Sequence, residues 1–119
     1  MREIKFRCWV SSTKNMVEWK ELEDHGDIYR LIKQPSAYPL MQFTGLKDIN
    51  GVEIYEGDIT AYEFNGKIVT GEVLYKRDQF IINAPFGAYG KGIFGRASKP
   101  EVIGNIYENP ELLEGNQHE

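Results

Sequence analysis

The chain has 119 residues, of which 41% are hydrophobic and 27% charged, a balance that predicts a folded domain and excludes a disordered chain. Its 18 acidic residues outnumber its 14 basic residues, and the net charge of −4 argues against strong, sequence-independent attraction to nucleic acid. The single cysteine, Cys8, excludes an intrachain disulfide and is typical of a reducing compartment.

We expect one cytoplasmic domain that spans residues 1–119. The segment Met1–Arg7 alternates charged and apolar residues, whereas a signal peptide has a continuous apolar core. No uncharged stretch provides the roughly 18 apolar residues that a membrane-spanning helix requires. The sequence therefore predicts no membrane segment.

The first predicted strand has alternating apolar residues, which the period of two assigns to one face: Ile4, Phe6, Cys8 and Val10. We expect this strand to be half-buried, with Lys5, Arg7 and Trp9 on its other face. Residues 11–15 favour a turn, and Met16–Trp19 is predicted to return as the second arm of a hairpin. Residues 21–33 stay ambiguous, because Gly26 interrupts a helical spacing of apolar residues. A short strand is predicted at Leu40–Phe43, after a loop that contains two prolines.

A second hairpin is predicted around Asn65 and Gly66, because this dipeptide favours a two-residue type I′ turn between two β-prone segments. Such a turn pairs Phe64 with Lys67. The pairing assigns four apolar residues to the core face: Tyr62, Phe64, Val69 and Val73. A further turn at residues 77–78 leads into Gln79–Asn83 and completes a three-stranded meander.

The C-terminal third combines a glycine-rich segment with a final strand and a helical turn. Four of the twelve glycines lie between Pro85 and Pro100, which predicts a long irregular loop. We expect a strand over residues 101–107 and a short helical turn that is capped by Asn109 and begins at Pro110. The predicted fold is thus mainly β, a single domain of antiparallel strands forming a small barrel or sandwich. The glycines between residues 56 and 73 are typical of SH3-like barrels.

Three blocks of sequence resemble the YopX family: Met1–Arg7 followed by Trp9, then Leu40–Ile59, and finally Val102–Leu113. The central block reads LMQFTGLKDINGVEIYEGDI. The resemblance implies a β-rich protein encoded by a bacteriophage or prophage and present inside a bacterial host. It implies no catalytic residues.

The sequence also contains clusters of chemically active residues, each with a structural and a functional interpretation. The carboxylates Asp48, Glu53, Glu56 and Asp58 are suited to acid–base catalysis or cation binding, but carboxylates beside glycine turns more commonly accept hydrogen bonds from backbone amides. The segment 24–27 (DHGD) resembles a fragment of a metal site, but the only other histidine of the sequence, His118, lies near its C-terminal end, so we interpret the segment as an exposed loop. Cys8 is expected to be a buried thiol.

The glycine-rich segment matches two binding patterns. Gly90–Gly95 fits the G-x-G-x-x-G fingerprint, but Pro100 prevents the long helix that a dinucleotide requires, so no cofactor is expected. Five aromatic and basic residues in this segment are suited to stacking on unpaired bases and contacting phosphates: Tyr89, Lys91, Phe94, Arg96 and Lys99.

The sequence thus leaves two leading functional hypotheses, beside a third, a small enzyme whose catalytic residues are distant in sequence. The first is a non-catalytic protein-interaction module that binds a phage or host protein or a second copy of itself, with neither metal nor cofactor. The alternative is a nucleic-acid-binding accessory protein that uses residues 85–100, which the overall acidity disfavours.

Overall fold

The computed structural model describes residues 3–25, 28–64, 66–76, 78–83 and 98–114. Strands make up 52% of these residues and pair antiparallel, which confirms the mainly β prediction. The strands are β1 (Phe6–Val10), β2 (Asn15–Val17), β3 (Leu40–Lys47), β4 (Glu53–Tyr55), β5 (Asp58–Phe64), β6 (Lys67–Lys76), β7 (Gln79–Asn83) and β8 (Ser98–Asn105). Three short helices accompany them: α1 (Trp19–His25), α2 (Ile28–Ile32) and α3 (Glu111–Glu114). Within the described residues, no helix is long and apolar enough to cross a membrane.

The first sheet has the order β2-β1-β3-β4. The predicted first hairpin is confirmed, since β1 and β2 pair with Cys8 opposite Val17, but its second arm ends at Val17 and the predicted strand residue Trp19 begins α1. The segment that joins β2 to β3 carries α1 and α2, and it crosses from one side of β1 to the other because both strands flank β1.

The second sheet has the order β7-β6-β5-β8 and contains the predicted meander. Phe64 pairs with Lys67, as the two-residue turn requires, and Gly66 has a φ of 78°. The pairing of Lys76 with Gln79 likewise confirms the turn at residues 77–78. β8 adds to the other side of β5, a pairing between distant segments that the local sequence does not predict.

Strand β4 connects two hydrophobic clusters because its neighbouring side chains point to opposite faces. Ile54 packs in a cluster of the second sheet, together with Tyr62, Val69, Val73 and Ile82. Tyr55 packs in a cluster of the first sheet, together with Trp9, Met41 and Phe43. Three of the four predicted core residues of the meander, Tyr62, Val69 and Val73, are therefore confirmed, and the side chain of the fourth, Phe64, lies outside the described part of the structure.

A tight turn at Gly57 joins β4 to β5. Gly57 has a φ of 85°, and a Cβ atom there would lie 3.0 Å from the sulfur of Met41. Its amide donates to the carbonyl of Val73, and its carbonyl accepts from the amide of Ile106. A side chain at this position would thus be strained and would also press on the core.

The structure corrects several local predictions. Strand β1 is buried on both faces and not on one, because Arg7 is only 8% exposed and pairs with a carboxylate inside the protein. Ile4 lies before the strand and is exposed. The ambiguous segment forms α1 and α2, so residues 24 and 25 of the expected loop are helical. The short strand predicted at Leu40–Phe43 continues to residue 47.

The C-terminal prediction is correct in outline and wrong in detail. The final strand begins at residue 98, inside the segment predicted as a loop, and ends at Asn105 and not at residue 107. The helical turn is confirmed as α3. However, the side chain of Asn109 accepts a hydrogen bond from the amide of Asn105 at 3.2 Å, so it holds the end of β8 as well as preceding the helix.

Candidate functional site

The predicted carboxylate cluster has structural partners throughout. Asp48 accepts hydrogen bonds from the amides of Asn50 and Val52 in its own turn and from Val102 in β8, at 2.8 to 2.9 Å. Burial tends to raise the pKa of Asp48, but these three amides outweigh it and hold the pKa below its usual value. The turn at residues 48–52 is thereby fixed along the outer edge of β8.

Asp58 forms a buried ion pair with Arg7. The distance from Arg7 Nη2 to Asp58 Oδ1 is 2.6 Å, and Asp58 Oδ2 accepts from the amide of Tyr55 at 2.8 Å. The Arg7 guanidinium lies 4.8 Å from the centre of the Tyr55 ring. Burial raises the pKa of Asp58, and Arg7 and the Tyr55 amide, which stabilise the ionised form, only partly oppose that rise. This pair connects the two sheets.

The remaining two carboxylates also bind within the fold. Glu53 Oε2 lies 2.5 Å from Lys5 Nζ, and Glu56 Oε1 accepts from the amide of Gln42 at 2.8 Å. The prediction that these carboxylates serve the fold is therefore confirmed. Among the described residues, no three histidine, cysteine or acidic side chains are grouped so as to hold a metal ion.

A different region has the geometry of a binding site. A cavity of about 310 Å³ lies between α1, α2 and the first hairpin, close to the lower limit of ligand pockets, which is roughly 300 Å³. Its apolar lining comes from both helices and both strands: Cys8, Val10, Val17, Leu22 and Leu31. Three polar residues complete the lining: Glu21, Arg30 and Tyr38. We call this cavity and the adjoining surface of α2 the α2 groove.

Helix α2 is unusual because four of its five residues are large and apolar and none is buried. Tyr29 is 69% exposed and Ile32 is 54% exposed. A helix of this composition ordinarily packs its apolar side chains on a core, and exposed apolar surface of this kind marks interaction sites. The cavity, to which α2 contributes Arg30 and Leu31, and the exposed Tyr29 and Ile32 of the same helix together define the candidate site.

Helix α1, in contrast, is anchored to the domain. Leu22 is buried, and the Trp19 ring lies 6.2 Å from that of Phe6 in β1. Glu21, which directly precedes Leu22 in the helix, lines the cavity. Cys8 is buried as predicted, and its burial raises the pKa of the thiol, so the thiolate is scarce at neutral pH.

The sequence prediction missed this site. The spacing of Ile28, Leu31 and Ile32 indicated a helix, but the same spacing favours burial of these residues and gives no sign that they are exposed. The structure does not test the residues predicted for nucleic-acid binding. Tyr89, Lys91, Phe94 and Arg96 lie outside the described residues, as does Gly90–Gly95, and Lys99 lies in β8.

Comparison with known proteins places this fold in a family. A model of the YopX protein family matches residues 5–114. The chain belongs to the YopX family. This YopX-family protein is also similar to protein EF1440 from Enterococcus faecalis, whose crystal structure matches with a TM-score of 0.64 and 26% sequence identity. The match covers 95% of this chain and 99% of the other. No curated protein matches the chain significantly.

Proposed function

We propose that this YopX-family protein is a non-catalytic accessory protein of a phage or prophage, which acts in the bacterial cytoplasm by binding another protein at the α2 groove. The exposed apolar helix α2, next to an apolar cavity, is the observation that carries this proposal. Tyr29 and Ile32 contribute little to the domain while exposed, and a partner that covers them would gain the free energy of removing their apolar surface from water.

The side-chain chemistry of the site supports binding over catalysis. The carboxylates that the sequence suggested for acid–base work hold backbone amides or basic side chains of the fold. The thiol of Cys8 has a raised pKa, the opposite of what a nucleophilic cysteine requires. The cavity lining is mainly apolar, which suits the insertion of a side chain from a partner.

The experiment is affinity capture from host cells that express the protein, with the variant Ile32→Ser beside a matched control, Ile68→Ser. Both isoleucines are exposed, but Ile68 lies on β6 in the second sheet, away from the groove. We expect wild type and Ile68→Ser to capture the same protein and Ile32→Ser to lose it. Purified, that protein should also slow the modification of Cys8 by a thiol reagent.

A partner retained fully by Ile32→Ser, or one that leaves Cys8 modification unchanged, would refute the α2 groove as the binding site. Both substitutions remove an exposed apolar side chain, so their effect on stability should be within about 0.5 kcal/mol. A difference between them therefore reports on binding. The nucleic-acid alternative stays a prediction, since no contact of a described residue favours it.

A further inference from the structure

We infer that the partner presents a segment that is both basic and apolar, with a large apolar side chain in the cavity and its cations facing α1. This inference rests on the proposed function and specifies the chemistry of the partner. It is carried by the unequal charges of the two helices that form the walls of the groove.

The α1 wall is acidic. Residues 18–24 carry four carboxylates, at Glu18, Glu21, Glu23 and Asp24, and one ammonium group, at Lys20; of the carboxylates, Glu21 lines the cavity and Glu23 lies on a different side of the helix. All five of these side chains are exposed. The ion pairs seen among the described residues join Lys5 and Arg7 to other carboxylates, so none of them neutralises this wall.

The α2 wall is apolar, and its cations are already engaged. Lys33 Nζ lies 4.4 Å from the centre of the Tyr29 ring, and Arg30 also has an interaction partner. These contacts direct the two cations toward groups of the protein itself. The carboxylates of α1 are thus the charges available to an incoming segment, and they attract basic residues and repel acidic ones.

The cavity decides where each part of the segment lies. Five of its eight lining residues are apolar, so a charged group inside it would lose hydration without gaining a partner for every hydrogen bond. An apolar side chain would instead bury its surface against Val10, Val17 and Leu31. Basic residues of the segment then stay at the rim, close to Glu21, where water still reaches them.

Cys8 provides a direct readout of occupancy, because it is the only cysteine of the chain and lines the cavity. A thiol reagent therefore modifies one known position. Burial and the raised pKa of this thiol make the reaction slow at neutral pH, so the assay needs a mildly alkaline buffer and a long incubation. Protection of Cys8 distinguishes binding in the groove from non-specific attraction to an acidic protein.

The experiment measures binding of two synthetic peptides to the full chain, one of leucine and lysine and one in which glutamate replaces each lysine. We expect the lysine peptide to bind saturably and to protect Cys8, and the glutamate peptide to do neither. Raising the salt from about 0.05 M to about 0.5 M should weaken binding of the lysine peptide by about tenfold, because the charges involved are exposed and become screened.

Matched charge reversals test the position of the cations. Glu21 lines the cavity, whereas Glu23 lies two positions further along α1, on a different side of the helix. Glu21→Lys and Glu23→Lys change the net charge equally. We expect Glu21→Lys to weaken binding of the lysine peptide by about tenfold and Glu23→Lys by less than about threefold.

Three results with the purified protein would overturn the inference. The first is equal binding of the two peptides. The second is binding of the lysine peptide without protection of Cys8. The third is self-association that protects Cys8 in the absence of peptide, which would make a second copy the occupant. A captured protein that depends on Ile32 but binds equally well to Glu21→Lys would refute this inference alone and leave the proposed function standing.

Discussion

The buried pair of Arg7 and Asp58 allows a quantitative test of how the two sheets are held together. Arg7 is 8% exposed and Asp58 is 2% exposed, so removal of either partner leaves an uncompensated charge inside the protein. We expect Arg7→Met and Asp58→Asn each to lower the free energy of unfolding by about 3–5 kcal/mol.

The double variant should cost much less than the sum of the two single variants. Methionine replaces the apolar stem of Arg7, and asparagine at position 58 keeps an oxygen that can accept from the amide of Tyr55. Neither buried charge remains. Moreover, Nε of Arg7 has no hydrogen-bond partner among the described residues, so the native pair is not fully compensated. A coupling free energy of about 2–3 kcal/mol is expected.

The pH dependence of the stability of Arg7→Met provides an independent test of the buried pair. Without Arg7, the pKa of Asp58 should rise further, because burial then acts unopposed by the guanidinium. A carboxyl with a raised pKa in the folded state stabilises the protein below its unfolded pKa and loses that contribution as the pH rises through the folded value. The deficit of Arg7→Met relative to wild type should therefore shrink between about pH 7 and pH 5.

The assay is urea unfolding of wild type, both single variants and the double variant, with Lys5→Met as a matched control. This substitution also removes the cation of an ion pair. However, the Glu53 side chain that is left without its partner is 34% exposed, so we expect the control to cost about 1 kcal/mol or less. Additive effects of the two substitutions, or single variants no less stable than Lys5→Met, would refute the reasoning.

Three further predictions concern the turns and the alternative function. Gly66→Val should lower the free energy of unfolding by about 1–3 kcal/mol, and Gly66→Asn by less, because valine tolerates a positive φ less well than asparagine. A Cβ at this position meets nothing within 4 Å, so the difference between the variants reports on the φ alone. Equal melting temperatures of wild type and both variants would contradict the role of the positive φ. Asp48 has a lowered pKa, so the stability that it contributes is present above about pH 4 and is lost on acidification. In urea unfolding, the stability advantage of wild type over Asp48→Asn should therefore shrink below that pH. An advantage that does not change with pH would contradict the assignment. Fluorescence anisotropy should detect no binding to single-stranded DNA or RNA tighter than about micromolar at physiological salt, because the net charge is −4; tight binding that is lost in a Tyr89→Ala, Arg96→Ala double variant would favour the nucleic-acid alternative.

Local signals in the sequence were sufficient for the second hairpin. The turn at Asn65 and Gly66 sets the register of β5 and β6, and the period of two then assigns Tyr62 and Val69 to the core face. Burial of Arg7 could not be predicted in this way. Its partner Asp58 lies 51 residues away, and alternation on a strand does not show that the second face is also covered.

The candidate site was not predictable for a related reason. Apolar residues at helical spacing indicate a buried face, and Ile28, Leu31 and Ile32 follow that spacing. In the structure, however, the helix is five residues long and lies over a cavity, so none of its residues reaches full burial. Only the three-dimensional position of α2 shows that its apolar residues are exposed and do not belong to the core.

The proposed binding site and the stability of the fold depend on different helices. Both helices lie in the connection between β2 and β3, but only α1 is anchored on β1, through Leu22 and Trp19. Because α2 contributes no buried side chain, substitutions at Tyr29 or Ile32 remove little packing. Substitutions at Leu22 would open a space beside the core and lower stability. The proposed binding at the α2 groove can therefore be tested through α2 alone, while the two sheets and the Arg7–Asp58 pair keep the fold unchanged.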